Sequence, residues 1–219
     1  IPAPLGIGTA GFGPFGSPSS NSPYSDLYPA TTAIHGHPEI KVVVVSRGAG
    51  FEAIFVRLDS VGVFQQLRRA LVLELTERLG HDVDDALIIG ATHTHSGPGR
   101  IIDAGGLFDI IADSYFPEFY DRFVTVTADA VEAAYDDLAP ARLGIGRANS
   151  ADGANDRRCE DGEDYVNGDI PLLAVEREGE LAALVMAYGI HGTSLGIDDL
   201  HLSQDVSGAI EQAVEDVLA

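Results

Sequence analysis

Short apolar runs that alternate with amphipathic segments constrain the fold of this chain more than any other feature of its sequence. Val42 to Val45 is a β-branched run typical of a buried strand, and Ala53 to Asp59 has the pattern of a second strand. Leucines then recur every four residues over residues 64–79, which indicates a helix, and a third apolar run follows at Ala86 to Gly90. Strands that alternate with helices predict an α/β fold, with a mixed β-sheet core and flanking helices.

The second half of the chain continues this pattern. A long helix is predicted from about Phe116 to Leu138, because its apolar residues lie on one stripe and Pro140 stands just beyond its end. Further elements are predicted as three strands, at Leu143 to Arg147, Pro171 to Glu176 and Leu181 to Ile190, and as a closing amphipathic helix at Val206 to Leu218.

The first part of the chain differs from the rest in composition. Residues 1–33 are dense in Gly, Pro and Ser and carry few periodic apolar stretches, so we predict an N-terminal arm there and an α/β domain over residues 34–219. Two alternatives stay open for the arm. It could be disordered, or it could drape over the domain as an ordered, Gly-rich cover.

Charge and cysteine content narrow the class of protein. The formal net charge is −21, and a surface this negative repels phosphate backbones, so nucleic-acid binding is not expected. The charge would suit a saline or extracellular setting. Cys159 is the single cysteine, which leaves no intrachain disulfide framework. The sequence has no apolar run long enough to predict a transmembrane helix.

The segment from Thr92 to Gly99, Thr-His-Thr-His-Ser-Gly-Pro-Gly, follows the third predicted strand. His93 and His95 are two residues apart, so both imidazoles would project from one face if the strand continued through them. Two histidines on one face can chelate a divalent metal ion. The alternative is that they are hydrogen-bonded polar residues at the end of a strand.

His191 stands in a similar position, after the apolar run from Leu184 to Ile190 and before Gly192-Thr193-Ser194. Two strands that each end in a histidine make a shared site plausible. Asp59 could fix a histidine tautomer or cap the following helix, and Asp205 could cap the last helix. His35 and His37 have the same spacing on a loop and are expected at the surface or behind the ligands of a site. His81 and His201 are expected to be structural.

An acidic loop surrounds Arg157, over residues 149–169. Arg157 could be held in salt bridges within this loop, or its neighbours could orient it to clamp a substrate oxyanion or carboxylate. Ser96 and Ser194 are not proposed as nucleophiles, because neither lies in a Gly-x-Ser-x-Gly elbow.

The residues Thr92 to Gly99 resemble the signature of the neutral/alkaline (non-lysosomal) ceramidases, in particular that of their N-terminal catalytic domain. The segments Gly189 to Ser194 and Leu202 to Asp205 follow in the order of that family. The resemblance implies a ceramidase-like α/β fold and hydrolysis of an N-acyl bond, as in cleavage of ceramide to a sphingoid base and a fatty acid. It also implies that His93 and His191 bind Zn²⁺, that His95 contacts the substrate or the developing oxyanion, and that Arg157 lies near the site.

The resemblance has limits that leave other functions open. It implies that the family's catalytic serine and its remaining zinc ligands, a Glu and a Tyr, lie beyond Ala219. This chain alone is therefore expected to be inactive, with a second chain or a C-terminal segment completing the site; a homo-oligomer stays open. A non-catalytic, structural or assembly role is the main alternative, and another metallohydrolase is a third. The family suggests an extracellular or periplasmic location.

Overall fold

The structure of the chain is a computed structural model, which describes residues 1, 3–12, 22–48, 50–103, 107–150, 153 and 167–218. Within these ranges the elements in chain order are β1 (Ala33–Ile34), β2 (Ile40–Ser46), β3 (Glu52–Leu58), α1 (Gln65–Leu79), β4 (Leu87–Ala91), α2 (Leu107–Ala112), α3 (Pro117–Asp136), β5 (Arg142–Asn149), β6 (Asp169–Arg177), β7 (Glu180–Met186), β8 (His201–Leu202) and α4 (Asp205–Leu218). The predicted α/β class, with mixed sheets and helices, is confirmed.

The chain divides into two compact units, of which the first comprises Ile1–Asp137 and Gly192–Val217. Its main sheet has the strand order β2-β3-β4, with β2 antiparallel and β4 parallel to the central strand β3. On β3, Ile54, Val56 and Leu58 are buried while the residues between them are partly exposed, which is the alternation of a pleated strand. The carboxyl ends of the parallel strands β3 and β4 therefore lie at the same edge of this sheet.

Helix packing supplies the core of this unit. On α1, Leu67, Leu71 and Leu75 are buried at helical spacing, as predicted, and on α3 Phe123 and Val131 have no exposed surface. These side chains and the buried face of β3 belong to one hydrophobic cluster. Burial of each such side chain contributes on the order of 2 kcal/mol to folding, so the cluster fixes the strand ends that carry the polar residues described below.

The described part of the N-terminal arm belongs to the first unit and packs against its core. Ile7 is fully buried and Tyr28 is 2% exposed. The two limbs of the arm are joined by hydrogen bonds from Thr31 N to Ile7 O (3.1 Å) and from Gly6 N to Thr31 O (2.9 Å). The following strand β1 pairs in parallel with β8. Residues 3–12 and 22–32 therefore form an ordered cover; the division of the chain at residue 33 stays a prediction.

The second unit comprises Leu138–His191 and Leu218. Its sheet is antiparallel, with the order β5-β6-β7 and a register shift between Val175 and Glu176. The predicted strand Leu181 to Ile190 is too long, because β7 ends at Met186 and residues 187–190 have no regular structure. Most of the acidic loop, including Arg157, lies outside the described residues.

Among the described residues, no helix combines the length and the apolar character needed to cross a membrane.

Candidate metal centre

The His93–His95 turn begins where β4 ends, at Ala91. The strand does not continue through the histidines, because His93 has a left-handed backbone conformation with φ of 58°. The condition for both imidazoles to project from one strand face, a strand that continues through them, is therefore not met. A positive φ is uncommon for a residue with a side chain. At His93 the extended conformation of β4 is lost, and the rings of His93 and His95 contact each other.

The two imidazoles face each other across this turn. Their ring centroids are 4.9 Å apart with an interplanar angle of 84°, and the two Nε2 atoms are 3.4 Å apart. The Nδ1 atom of His93 lies 2.5 Å from the carbonyl oxygen of Val61. A carbonyl only accepts hydrogen bonds, so this contact assigns the proton of neutral His93 to Nδ1 and leaves the lone pair on Nε2.

His191 joins this pair through the residue that follows it. Gly192 O accepts a hydrogen bond from His95 N (3.0 Å). A Cβ atom at Gly192 would lie 2.5 Å from His93 O and 2.8 Å from Thr94 Cα, so only glycine permits this approach. The peptide bond to Gly192 places His191 beside the turn, and the ligand atoms of His93, His95 and His191 all lie within 4.8 Å of one another.

Hydrogen bonds beneath the turn hold it in place. The fully buried Thr94 donates from Oγ1 to Ser203 O (3.0 Å) and accepts from Ser96 N (3.2 Å). Ser203 N in turn donates to Ser96 O (2.9 Å). Because the hydroxyl of Thr94 both donates and accepts, the backbone of the turn has little freedom to shift. The segment Leu202 to Asp205 thus acts as a support for the histidines.

Asp59 connects the neighbouring elements below the site. Its fully buried carboxylate accepts hydrogen bonds from Arg57 Nη1 (2.7 Å), Glu39 N (2.8 Å), Thr92 Oγ1 (3.0 Å) and Gln204 Nε2 (3.0 Å). The residue at the N-cap of α1 is Phe64, so the alternative in which Asp59 caps that helix is wrong. Of these four partners, Thr92 is the nearest in sequence to the histidine turn, since it directly precedes His93.

Asp205 fixes the segment that follows His191. It begins α4, is 8% exposed and has φ of 55°. Its carboxylate accepts hydrogen bonds from Ser194 N (3.1 Å), Leu195 N (3.3 Å) and Val206 N (2.6 Å). The predicted capping role is therefore only part of its function in the fold, since two of its three donors belong to the loop after His191.

The remaining histidines lie in other environments. His35 and His37 are exposed. His201 Nδ1 contacts the Asp199 carboxylate (2.7 Å). His81 Nε2 contacts the Glu52 carboxylate (3.0 Å), and this hydrogen bond, with one to Leu79 O, raises the pKa of His81. His81 and His201 thus bind carboxylates at the surface, as expected for structural residues.

One part of the site was not expected from the sequence. The arm passes directly over His95, where Gly11 and Phe12 contact its imidazole. The composition of the arm left open an ordered, Gly-rich cover, but no local pattern identifies His95 as the residue that this cover contacts.

The donor set fits a zinc ion. Zinc is commonly bound by neutral imidazole nitrogens, and a ligating histidine usually donates its other ring N–H to a carbonyl or carboxylate. The contact of His93 Nδ1 with Val61 O meets that requirement and directs Nε2 toward the other two histidines. His93 and His191 are exposed while His95 is buried, so an ion at this position would be reached from solvent.

Comparison with known proteins now defines the class. The sequence profile of the family described as "Neutral/alkaline non-lysosomal ceramidase, N-terminal" matches residues 23–219. The chain belongs to this family. It is 24% identical over 192 residues to neutral ceramidase A of Dictyostelium discoideum and 24% identical over 197 residues to the neutral ceramidase of Pseudomonas aeruginosa, covering 81% and 84% of this chain.

The fold also matches solved structures. The crystal structure of the neutral ceramidase from Pseudomonas aeruginosa superposes on 98% of this chain with a TM-score of 0.80, at 20% identity. The superposed region is 34% of that ceramidase chain. A structure described as ceramidase complexed with C2 gives a TM-score of 0.79 at 19% identity. The chain spans 27% and 29% of the length of the two curated relatives named above.

Proposed function

We propose that His93 and His191 bind Zn²⁺ in an amide hydrolase of the neutral ceramidase type, which cleaves an N-acyl bond. The convergence of three imidazoles, with the Nε2 lone pair of His93 directed into the cluster, is the observation that carries this proposal. When bound, zinc would supply Lewis-acid polarisation of the acyl carbonyl or activation of the attacking group.

His95 has a different proposed role, in contact with the substrate. His95 is 8% exposed, its backbone N–H donates to Gly192 O, and its ring lies against Gly11 and Phe12, so the ring has little space to move. Its Nε2 atom points at the same space as that of His93. An Nε2–H in this position would donate a hydrogen bond to the oxygen that becomes negatively charged as the amide carbonyl is attacked.

Arg157 is proposed as a second group near the substrate. A guanidinium held by acidic neighbours can clamp an oxyanion or a carboxylate through paired hydrogen bonds. The acidic residues around Arg157 in the sequence support this role.

The substrate class proposed is a ceramide-like N-acyl lipid or a related amide, in keeping with the family. Zinc in proteins is four-coordinate in most sites, so two histidines from this chain require further ligands. We propose that a C-terminal segment or a second chain supplies them, and that the isolated chain is inactive. We also propose an extracellular or periplasmic location, which the net charge of −21 would suit.

Zinc content and hydrolysis of an N-acyl sphingoid substrate by the full-length gene product test the proposal. His93→Ala and His191→Ala are each expected to remove zinc and activity together. His81→Ala is the matched control, since His81 lies at the surface on Glu52. Unchanged zinc content in both site variants would refute the ligand assignment. Zinc binding without hydrolysis in the wild type would favour the non-catalytic role.

A further inference from the structure

Gly11 and Phe12 enclose the imidazole of His95. A Cβ atom at Gly11 would lie 2.5 Å from Nδ1, 2.6 Å from Cγ and 2.8 Å from Cε1 of His95, so the backbone of Gly11 lies directly on the ring face. The ring of Phe12 meets the same imidazole edge to face, with centroids 4.8 Å apart and an interplanar angle of 68°. This segment therefore restricts where the His95 ring can lie.

Backbone contacts fix the segment from Gly8 to Phe12, which we call the N-terminal strap. Gly11 N donates to Ile111 O (2.7 Å), and Gly99 N donates to Gly8 O (2.8 Å). Thr9 forms an antiparallel bridge with Pro98, in the turn that follows the histidines. The strap is thus tied on one side to the histidine turn and on the other to the end of α2.

Asp113 holds the base of the strap. Its side chain is fully buried, and its carboxylate accepts hydrogen bonds from the backbone N–H groups of Asp26 (3.0 Å), Leu27 (2.5 Å) and Tyr28 (2.8 Å) on the returning limb of the arm. Gly8 passes so close that a Cβ atom there would overlap this carboxylate. Burial raises the pKa of Asp113, and the three N–H groups act in the opposite direction. Asp113 therefore packs against both limbs of the arm.

We propose that the N-terminal strap positions His95, with Gly11 as the positioning residue. The strap packs on the imidazole and so favours the orientation in which His95 Nε2 lies 3.4 Å from His93 Nε2. It does so without a side chain at residue 11, and φ of +110° at Gly11 makes this backbone path unfavourable for other residues. The expected effect on catalysis rests on the proposed function. The contact between the strap and the imidazole is independent of that function.

Gly11→Ala tests this role, with Gly179→Ala as the matched control. Both glycines have positive φ, +110° and +91°, so both substitutions strain the backbone, but a Cβ atom at Gly179 meets nothing within 4 Å. In the ¹⁵N-labelled protein, Gly11→Ala is expected to shift the ring resonances of His95, and Gly179→Ala to leave them unchanged.

In the full-length gene product, Gly11→Ala is expected to lower kcat by about 10²-fold with little change in KM. Its zinc content is expected to equal that of the wild type.

Wild-type His95 resonances together with a wild-type kcat in Gly11→Ala would overturn the proposal. If Gly11→Ala does not fold, Phe12→Ala decides, because it removes only the ring that meets His95; unchanged His95 resonances in that variant would likewise overturn it. Failure of the proposed function has a separate signature. The wild type would then bind no zinc and cleave no amide, while the His95 resonances would still report on the strap.

Discussion

Two His-x-His segments of this chain, with the same spacing, have different surroundings in the fold. His35 and His37 follow the short strand β1 and are exposed. His93 and His95 follow β4, and their rings meet each other and lie close to His191. The spacing is shared, so it does not distinguish them. The difference lies in the backbone and its neighbours: the left-handed φ of His93, the approach of Gly192, and the buried hydroxyl of Thr94.

This comparison teaches that a pair of histidines becomes a candidate ligand set when the fold limits its geometry. The His93–His95 turn is packed from three sides, by the N-terminal strap, by Gly192 and by the Ser203 segment. Preorganised ligands bind a metal more tightly because less conformational entropy is lost on binding. The His35–His37 segment serves as an internal control for the experiments that follow.

The largest expected effect comes from removing one histidine pair at a time. The double variant His93→Ala/His95→Ala is expected to abolish measurable zinc binding, because it removes His93, one of the two proposed ligands, together with the ring that packs against it. The double variant His35→Ala/His37→Ala is expected to bind zinc as the wild type does. Isothermal titration with zinc measures both. Loss of zinc binding in the His35→Ala/His37→Ala variant would instead assign the metal site to the exposed pair.

A large effect on stability is expected for Asp59→Ala. Both segments depend on this carboxylate, since Thr92 Oγ1 precedes His93 and Glu39 N follows His37 by two residues. Its removal leaves buried donors unpaired and is expected to lower the free energy of unfolding by about 2 to 3 kcal/mol. Urea denaturation measures this, with Asp129→Ala as a control in which an exposed ion pair to Arg78 is lost, at a cost of about 1 kcal/mol or less. Equal losses would contradict the role given to Asp59.

A smaller effect is expected for Gly192→Ala. The added Cβ would overlap His93 O and Thr94 Cα, so the turn must move, at a cost of about 1 to 2 kcal/mol. Zinc affinity should weaken as well. Gly196→Ala lies in the same loop with nothing within 4 Å of its Cβ position, and it is expected to leave both properties unchanged. Thermal unfolding and zinc titration of the two variants check this. Equal unfolding temperatures and equal zinc affinities would contradict the role given to Gly192.

The smallest effect concerns a histidine outside the site. The hydrogen bond with Glu52 raises the folded-state pKa of His81 above its unfolded value of about 6.5. The resulting stabilisation is fully present below that value and is lost as pH rises through the folded pKa. Because His81 and Glu52 are partly exposed, about 0.5 kcal/mol is expected. The difference in unfolding free energy between wild type and His81→Gln should therefore shrink from pH 5 to pH 9; a constant difference would contradict this pairing.

Local patterns in the sequence predict most of the elements but not the geometry of the site. The β-branched run at Val42 and the leucines of α1 predict their elements because strand and helix periods are local properties. The prediction that the last strand extends to Ile190 is wrong, because residues 187–190 continue the apolar run but have no regular structure. Their positions at the ends of predicted strands singled out His93, His95 and His191, the resemblance to the family gave each a role, and the fold brings the three together.

The contacts that orient these histidines had no signal in the sequence. The left-handed φ of His93 is not marked by a glycine, the residue that adopts this conformation most readily. The contact of Gly11 with His95, and that of Asp113 with the returning limb of the arm, join residues far apart in the chain. Such pairings depend on the whole fold rather than on a local pattern.

The most direct test of the central claim is anomalous diffraction at the zinc absorption edge, from crystals of the full-length gene product. The account predicts one strong peak about 2.0 to 2.1 Å from a ring nitrogen of His93 and of His191, with His95 beyond bonding distance. A crystal that contains zinc elsewhere, at His35 and His37 for example, with no peak at His93 and His191, would contradict it.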